Sequence, residues 1–155
     1  MKEQFGCSVA LRSPAHVTLI PPFWMEQTLE AKLAATMNDC CLKQQSFDIN
    51  VKNFDVFAPK VIYAALVANK SLIELDEHVR QFIIATGDFP IKNEQRPFHP
   101  HITIATRDLH KKAFDAAWSI FKEKEYTAHW MANGISLLKH DQKKWDVVHT
   151  SLFSN

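Results

Sequence analysis

The sequence predicts an α+β fold made of two related halves that share one cleft, and three observations predict it. A His-x-Thr triplet occurs twice, as His16-Val17-Thr18 and His101-Ile102-Thr103, 85 positions apart and each preceded within two positions by a proline. Each triplet lies in a run where apolar residues alternate, so the histidine and threonine share one face and the apolar residues the other. Strand-like and helix-like stretches then follow one another in the order β-α-β, β-α-β-α-β-β, as in a worn duplication. The halves are unequal. A strand at 61–67 and a helix at 71–85 precede the second motif strand, whereas His16 lies too near residue 1 for a matching pair. The first half is therefore expected to lack an initial β-α unit, leaving an open strand edge that favours association.

The elements follow in order. Residues 2–5 read as the end of a helix stopped by Gly6, and Val9 to Leu11 lead towards a strand. Residues 15–20 are the first motif strand, ended by Pro21-Pro22. Residues 25–42 read as a helix, with Leu29, Leu33, Ala34, Met37, Cys40 and Cys41 along one stripe and Thr28 near its start. Phe47, Ile49 and Val51 alternate with polar residues as in a half-buried strand. Residues 54–60, with Pro59, read as a turn, and 61–67 as a buried strand. The helix at 71–85 turns Leu72, Leu75, Val79, Phe82 and Ile83 inward. A loop with Gly87, Pro90 and Pro97 leads to the second motif strand at 101–106. Asp108 is placed as the N-cap of a helix reaching Lys124, with Ala113, Phe114, Ala117, Ile120 and Phe121 inside. Strands at 127–138 and 145–153 close the chain around a polar turn at 141–144.

The chain has 155 residues, 46% of them hydrophobic, enough for one domain (residues 1–155) with a real core. Eighteen basic and 17 acidic residues leave a net charge of +1, which argues against holding nucleic acid by bulk charge. Any such contact would be local, at a terminus or a single phosphate. No apolar run approaches the roughly 20 residues of a membrane span, and residues 1–7 show no signal-peptide core. Cys7, Cys40 and Cys41 are odd in number and lack metal spacing, which reads as a reduced, cytoplasmic protein.

Two imidazoles and two hydroxyls facing one cleft suit displacement at phosphorus. The attacking oxygen loses a proton while the leaving oxygen, across the phosphate, gains one. Two histidines divide that work near neutral pH, and the threonine hydroxyls hydrogen-bond the non-bridging oxygens where charge builds up. Such a site needs no metal and no cofactor, and it suits a strained 2′,3′-cyclic phosphate. His99 and His101 share a face, but no Asp, Glu or Cys stands beside them at ligand spacing. His99 is read as a surface residue or one behind the site. Around the dyads, Arg107 is a phosphate partner or a surface arginine at a helix start. Phe23 and Trp24 stack on a base or pack in the core. Lys139 and His140 reach the cleft rim or lie in a solvated turn, and Arg96 is a substrate contact or a loop anchor.

On the motifs His16-Val17-Thr18-Leu19 and His101-Ile102-Thr103-Ile104, with the lead-ins Ser13-Pro14-Ala15 and Arg96-Pro97-Phe98-His99-Pro100, the chain resembles the two-histidine (2H) phosphoesterase superfamily. Within it, the chain is most similar to the bacterial 2′-5′ RNA ligase-like branch. The resemblance implies a bilobal fold with two antiparallel sheets lining a central cleft. It also implies cyclic phosphodiesterase activity on RNA ends or cyclic nucleotides, with 2′-5′ ligation in some members. His16, Thr18, His101 and Thr103 match the motif residues one for one. Family members usually begin with a strand and helix before the first motif, and this chain departs from them there. The expected partner is an RNA end or nucleotide with a cyclic phosphate, not a membrane, and the open N-terminal edge adds an expectation of homo-oligomers. The alternative reading is an RNA-end or nucleotide-binding module that has lost catalysis.

Overall fold

The structure is a computed structural model that describes residues 1–93 and 97–154. It is an α+β fold with two antiparallel sheets. The larger runs in the order β3-β2-β1-β4, from β1 (Phe47–Phe57), β2 (Val61–Leu66), β3 (His101–Ala105) and β4 (Thr127–Ala132). The smaller pairs β5 (Gly134–His140) with β6 (Trp145–Leu152). The sheets do not follow the two sequence halves: β1 of the first half joins the larger sheet, and β5 and β6 of the second half form the smaller. The helices are α1 (Lys2–Phe5), α2 (Glu30–Cys41), α3 (Lys70–Ala85) and α4 (Lys111–Phe121). None of the described helices is long and apolar enough to cross a membrane.

Two cores hold the layers together. In one, Leu33, Met37, Cys40 and Cys41 of α2 meet Leu75, Val79 and Ile83 of α3 and Ile135 of β5. In the other, Phe114, Ala117 and Phe121 of α4 cover Ile62 of β2 and Ala105 of β3. Burying each such large apolar side chain contributes about 1.5–3 kcal/mol. Of the expected stripe, Leu33, Met37, Cys40 and Cys41 are buried, while Ala34 and Leu29, the latter in the turn before α2, are half-buried. The α3 start is set by Asn69, whose Oδ1 accepts the Leu72 N–H at 3.0 Å. Burial pushes the Cys40 thiol up to about 12, with Cys41 beside it adding to the effect.

Several expected boundaries move. Residues 15–20 are not a strand and pair with no sheet. The 3-10 turn Val9–Arg12 stands where a strand lead-in was expected, and a second 3-10 turn, Gln27–Leu29, carries Thr28 before α2 begins at Glu30. The strand expected over 127–138 breaks at Asn133, because β4 pairs with β1 while β5 pairs with β6. β1 runs on to Phe57 through residues expected to turn. A register shift between Val51 and Phe54, with Asn53 at φ 61°, carries it through. Phe82 and Ile120, expected inside, are exposed.

Asp108 does not cap α4, which starts three residues later with His110 at its N-cap and no side-chain cap bond. Its Oδ2 instead accepts the backbone N–H groups of Ser8 and Val9, the latter at 2.8 Å. Burial alone would push the Asp108 carboxyl up. The Val9 and Ser8 amides, with Arg12 nearby, outweigh that and hold it below the usual carboxylate range. A lowered folded pKa contributes stability above the unfolded value and loses it as pH falls through the folded one. Asp108→Ala is expected to lower stability by about 1–3 kcal/mol at pH 7. The difference from wild type, read from urea midpoints, should shrink in acid below the ordinary carboxylate value of about 4.

Candidate active site

β3 sets the second dyad. Ala65 pairs with His101 and Tyr63 with Thr103 across the β2–β3 ladder, so these side chains share one sheet face. Asp55 pairs with Tyr63 on the far side and extends the row. Ile104 and Ala105 both pack into the opposite core. The register shift between Ile62 and Tyr63 leaves Ile104 as the extra residue of β3 and ends the open face at Thr103.

Aromatic rings enclose His101. Its ring lies 5.0 Å from Phe57, 5.1 Å from Tyr63 and 6.4 Å from His99, centroid to centroid. Tyr63 is 2% exposed, and its Oη sits 3.0 Å from His99 Nε2. Burial first, and then the Asp55 carboxylate, push the Tyr63 phenol up and keep it protonated. His99 is an exposed residue, as one of its two readings expected, and its ring lies beside His101 and is held by Tyr63. Asp55 and Phe57 escape the sequence reading because 54–60 reads as a turn, and Tyr63 because its strand, 61–67, reads as wholly buried. Once β1 is continued through its bulge, alternation alone puts Asp55 and Phe57 on the Tyr63 side.

The two motif histidines make the same local bond on different backbones. His101 Nδ1 lies 2.7 Å from the carbonyl of His99. His16 Nδ1 lies 2.7 Å from the carbonyl of Pro14. In each case the acceptor belongs to the residue two positions earlier. A carbonyl oxygen can only accept, so Nδ1 carries the hydrogen in both rings and Nε2 is the nitrogen left outside that bond. His16 and Thr18 are exposed, while His101 and Thr103 are half-buried. The Val9–Arg12 turn, just upstream of His16, packs on β3.

The other expected contacts are scattered. Arg107 is exposed in the turn after β3. Phe23 is half-buried and packs against the α2–α3 core. Lys139 Nζ pairs with Glu30 Oε2 at 2.6 Å, which couples β5 to α2. Trp24 is 95% exposed, His140 packs on the Trp145 ring, and Arg96 lies outside the described residues. Among the described residues no three metal-type side chains cluster.

The family model of the 2′-5′ RNA ligase superfamily matches residues 1–144. A curated relative, the RNA 2′,3′-cyclic phosphodiesterase of Bacillus subtilis (strain 168), is 30% identical over 105 residues, covering 65% of this chain and 56% of the relative. The chain thus spans little more than half the length of that relative. Among solved structures, TT0787 of Thermus thermophilus superposes with a TM-score of 0.65 at 18% identity, over 90% of this chain and 78% of that one. E. coli LigT, complexed with 3′-AMP, gives 0.66 at 16% identity, over 91% and 78%. At these identities the two structures establish a shared fold.

Proposed function

The chain belongs to the 2′-5′ RNA ligase superfamily, and from that premise we propose that it is a metal-independent phosphoesterase that opens 2′,3′-cyclic phosphates at RNA ends or on nucleotides. His16 and His101 are its acid and base, and Thr18 and Thr103 its phosphate clamp. The observation that carries the reading is the matched pair of Nδ1 bonds. Each fixes the tautomer and leaves Nε2 for proton transfer. A neutral ring takes the proton of the attacking water through Nε2. The imidazolium opposite gives its Nε2 proton to the departing ribose oxygen as the P–O bond breaks. One P–O bond forms and one breaks, a water is consumed, and the two histidines finish with exchanged protonation states. With the hydroxyl of a second ribose in place of water as the attacking group, the same steps join it to the phosphate as the ring P–O bond breaks, which is the ligase direction.

The threonines stabilise the non-bridging oxygens, where hydrogen bonds strengthen as the transition state forms. Support for the substrate class comes from the Bacillus subtilis relative, named for RNA 2′,3′-cyclic phosphodiesterase activity, and from LigT, solved with 3′-AMP. Arg107, exposed just beyond β3, is read as a phosphate contact. Phe23 and Lys139 are weaker candidates, since one packs in a core and the other is ion-paired.

Incubation with each nucleoside 2′,3′-cyclic phosphate in the presence of EDTA tests the reading. A ring-opened monophosphate is expected, at a rate the chelator does not change. Binding without product would instead favour a nucleotide-binding module, and a rate abolished by EDTA would remove the two-histidine account.

A further inference from the structure

The two dyads are anchored by different means, and the difference points to a residue outside both motifs. The second dyad is fixed by the β2–β3 ladder. Residues 13–20 belong to no ladder, so the backbone that carries His16 and Thr18 needs another restraint. Side chains supply it at both flanks. Upstream, Asp108 holds the Ser8 and Val9 amides. Downstream, Arg80 of α3 donates through Nη2 to the carbonyl of Leu19, the residue after Thr18. We propose that Arg80 is a positioning residue for the first dyad, holding the Leu19 carbonyl so that His16 and Thr18 face the substrate phosphate. This rests on the reading of His16 and Thr18 as catalytic.

Arg80 is built for that task. Its Nε donates to both carboxylate oxygens of Asp76, each at 2.9 Å. Asp76 is 3% exposed and sits one turn earlier on the same helix, next in sequence to Leu75 of the α2–α3 core, which also receives the Leu19 and Ile20 side chains. The guanidinium is planar and its donors diverge at fixed angles, so locking Nε onto Asp76 fixes the direction of Nη2. A peptide carbonyl held from the core side restricts ψ of Leu19 and φ of Ile20, which anchors the chain directly after Thr18. A lysine at position 80 keeps the charge beside Asp76 but cannot hold both acceptors in that geometry. The salt bridge alone would be an ordinary i,i+4 helix pair. The bond to Leu19 is what links it to the site.

The test uses Arg80→Lys, which keeps a cation beside buried Asp76, and the double variant Asp76→Asn/Arg80→Ala, which leaves no orphaned carboxylate. Two readouts apply: kcat and KM on a nucleoside 2′,3′-cyclic phosphate, and the histidine ring NMR signals, assigned with His16→Ala and His101→Ala. In both variants the His16 signals should shift while those of His101 stay in place. kcat should fall about 10- to 100-fold with KM little changed, the scale of effect expected when a catalytic group is slightly misplaced. Millimolar guanidinium ion should restore part of kcat in the double variant. His16 signals that stay in place, or a kcat loss that only tracks the unfolded fraction, overturn the proposal. A wild-type protein that opens no cyclic phosphate would remove the proposed reaction, while the NMR comparison would still decide the role of Arg80.

Discussion

Replacing His101 by alanine is expected to slow hydrolysis of a nucleoside 2′,3′-cyclic phosphate by about 10²- to 10⁴-fold, and His16→Ala by a similar factor, the usual contribution of one positioned acid or base. Symmetry of effect follows from the mechanism. Each turnover needs one proton taken and one given, and each ring presents the same Nε2 after the same Nδ1–carbonyl bond. The double variant should lose little beyond the worse single variant, because groups that act as a unit are not additive. The fold should survive. His16 is exposed and its ring bonds the Pro14 carbonyl two residues away, so its removal should change stability by less than about 0.5 kcal/mol. His101 also packs against Phe57 and Tyr63, so its alanine variant should unfold somewhat more easily. Steady-state rates with thermal melts on the same samples check both statements. Either single variant retaining near wild-type turnover would end the acid–base assignment.

The parts of this site that were legible in the sequence are those where chemistry and local periodicity coincide. His101 and Thr103 sit two apart in a strand, as alternation requires, and β2 and α3 lie within one residue of their expected starts. His16 and Thr18 were found by the same pattern, yet their segment is not a strand. Alternation reports which side chains prefer burial, and Leu19 and Ile20 do pack on a core. It cannot supply the neighbouring strand that a ladder needs. Asp108 misled for a related reason. A carboxylate before a helix satisfies the N-cap pattern, but its partners are amides 99 and 100 positions away. Arg80 was invisible because its functional acceptor is a backbone carbonyl 61 positions distant. The β4–β5 boundary was different. The Asn133-Gly134 pair is an ordinary turn signal, and continued alternation through Ile135 and Leu137 obscured it.

That boundary carries the second large effect. Gly134→Ala is expected to destabilise the protein by about 1–3 kcal/mol, the range for inserting an atom where none fits. A Cβ at this position would lie 2.5 Å from the Ser151 carbonyl oxygen and 3.2 Å from the Leu152 Cα. Both are backbone atoms of β6, so no side-chain rotation relieves the clash and a strand must move. Ser151 has little room to do so. It is 1% exposed, its hydroxyl donates to Asn38 Oδ1 at 2.7 Å, and its carbonyl accepts the Cys41 thiol. Displacing β6 would therefore disturb both its packing on α2 and the only β-ladder of the smaller sheet among the described residues. For a chain of this size, each kcal/mol corresponds to a fall in Tm of about 2–4 °C. Calorimetry or a circular dichroism melt of Gly134→Ala reads it directly. Turnover per folded molecule should stay near wild type below the transition, because Gly134 touches none of the four motif side chains in the proposed mechanism. A variant as stable as wild type would mean that β5 and β6 do not approach so closely at this pair.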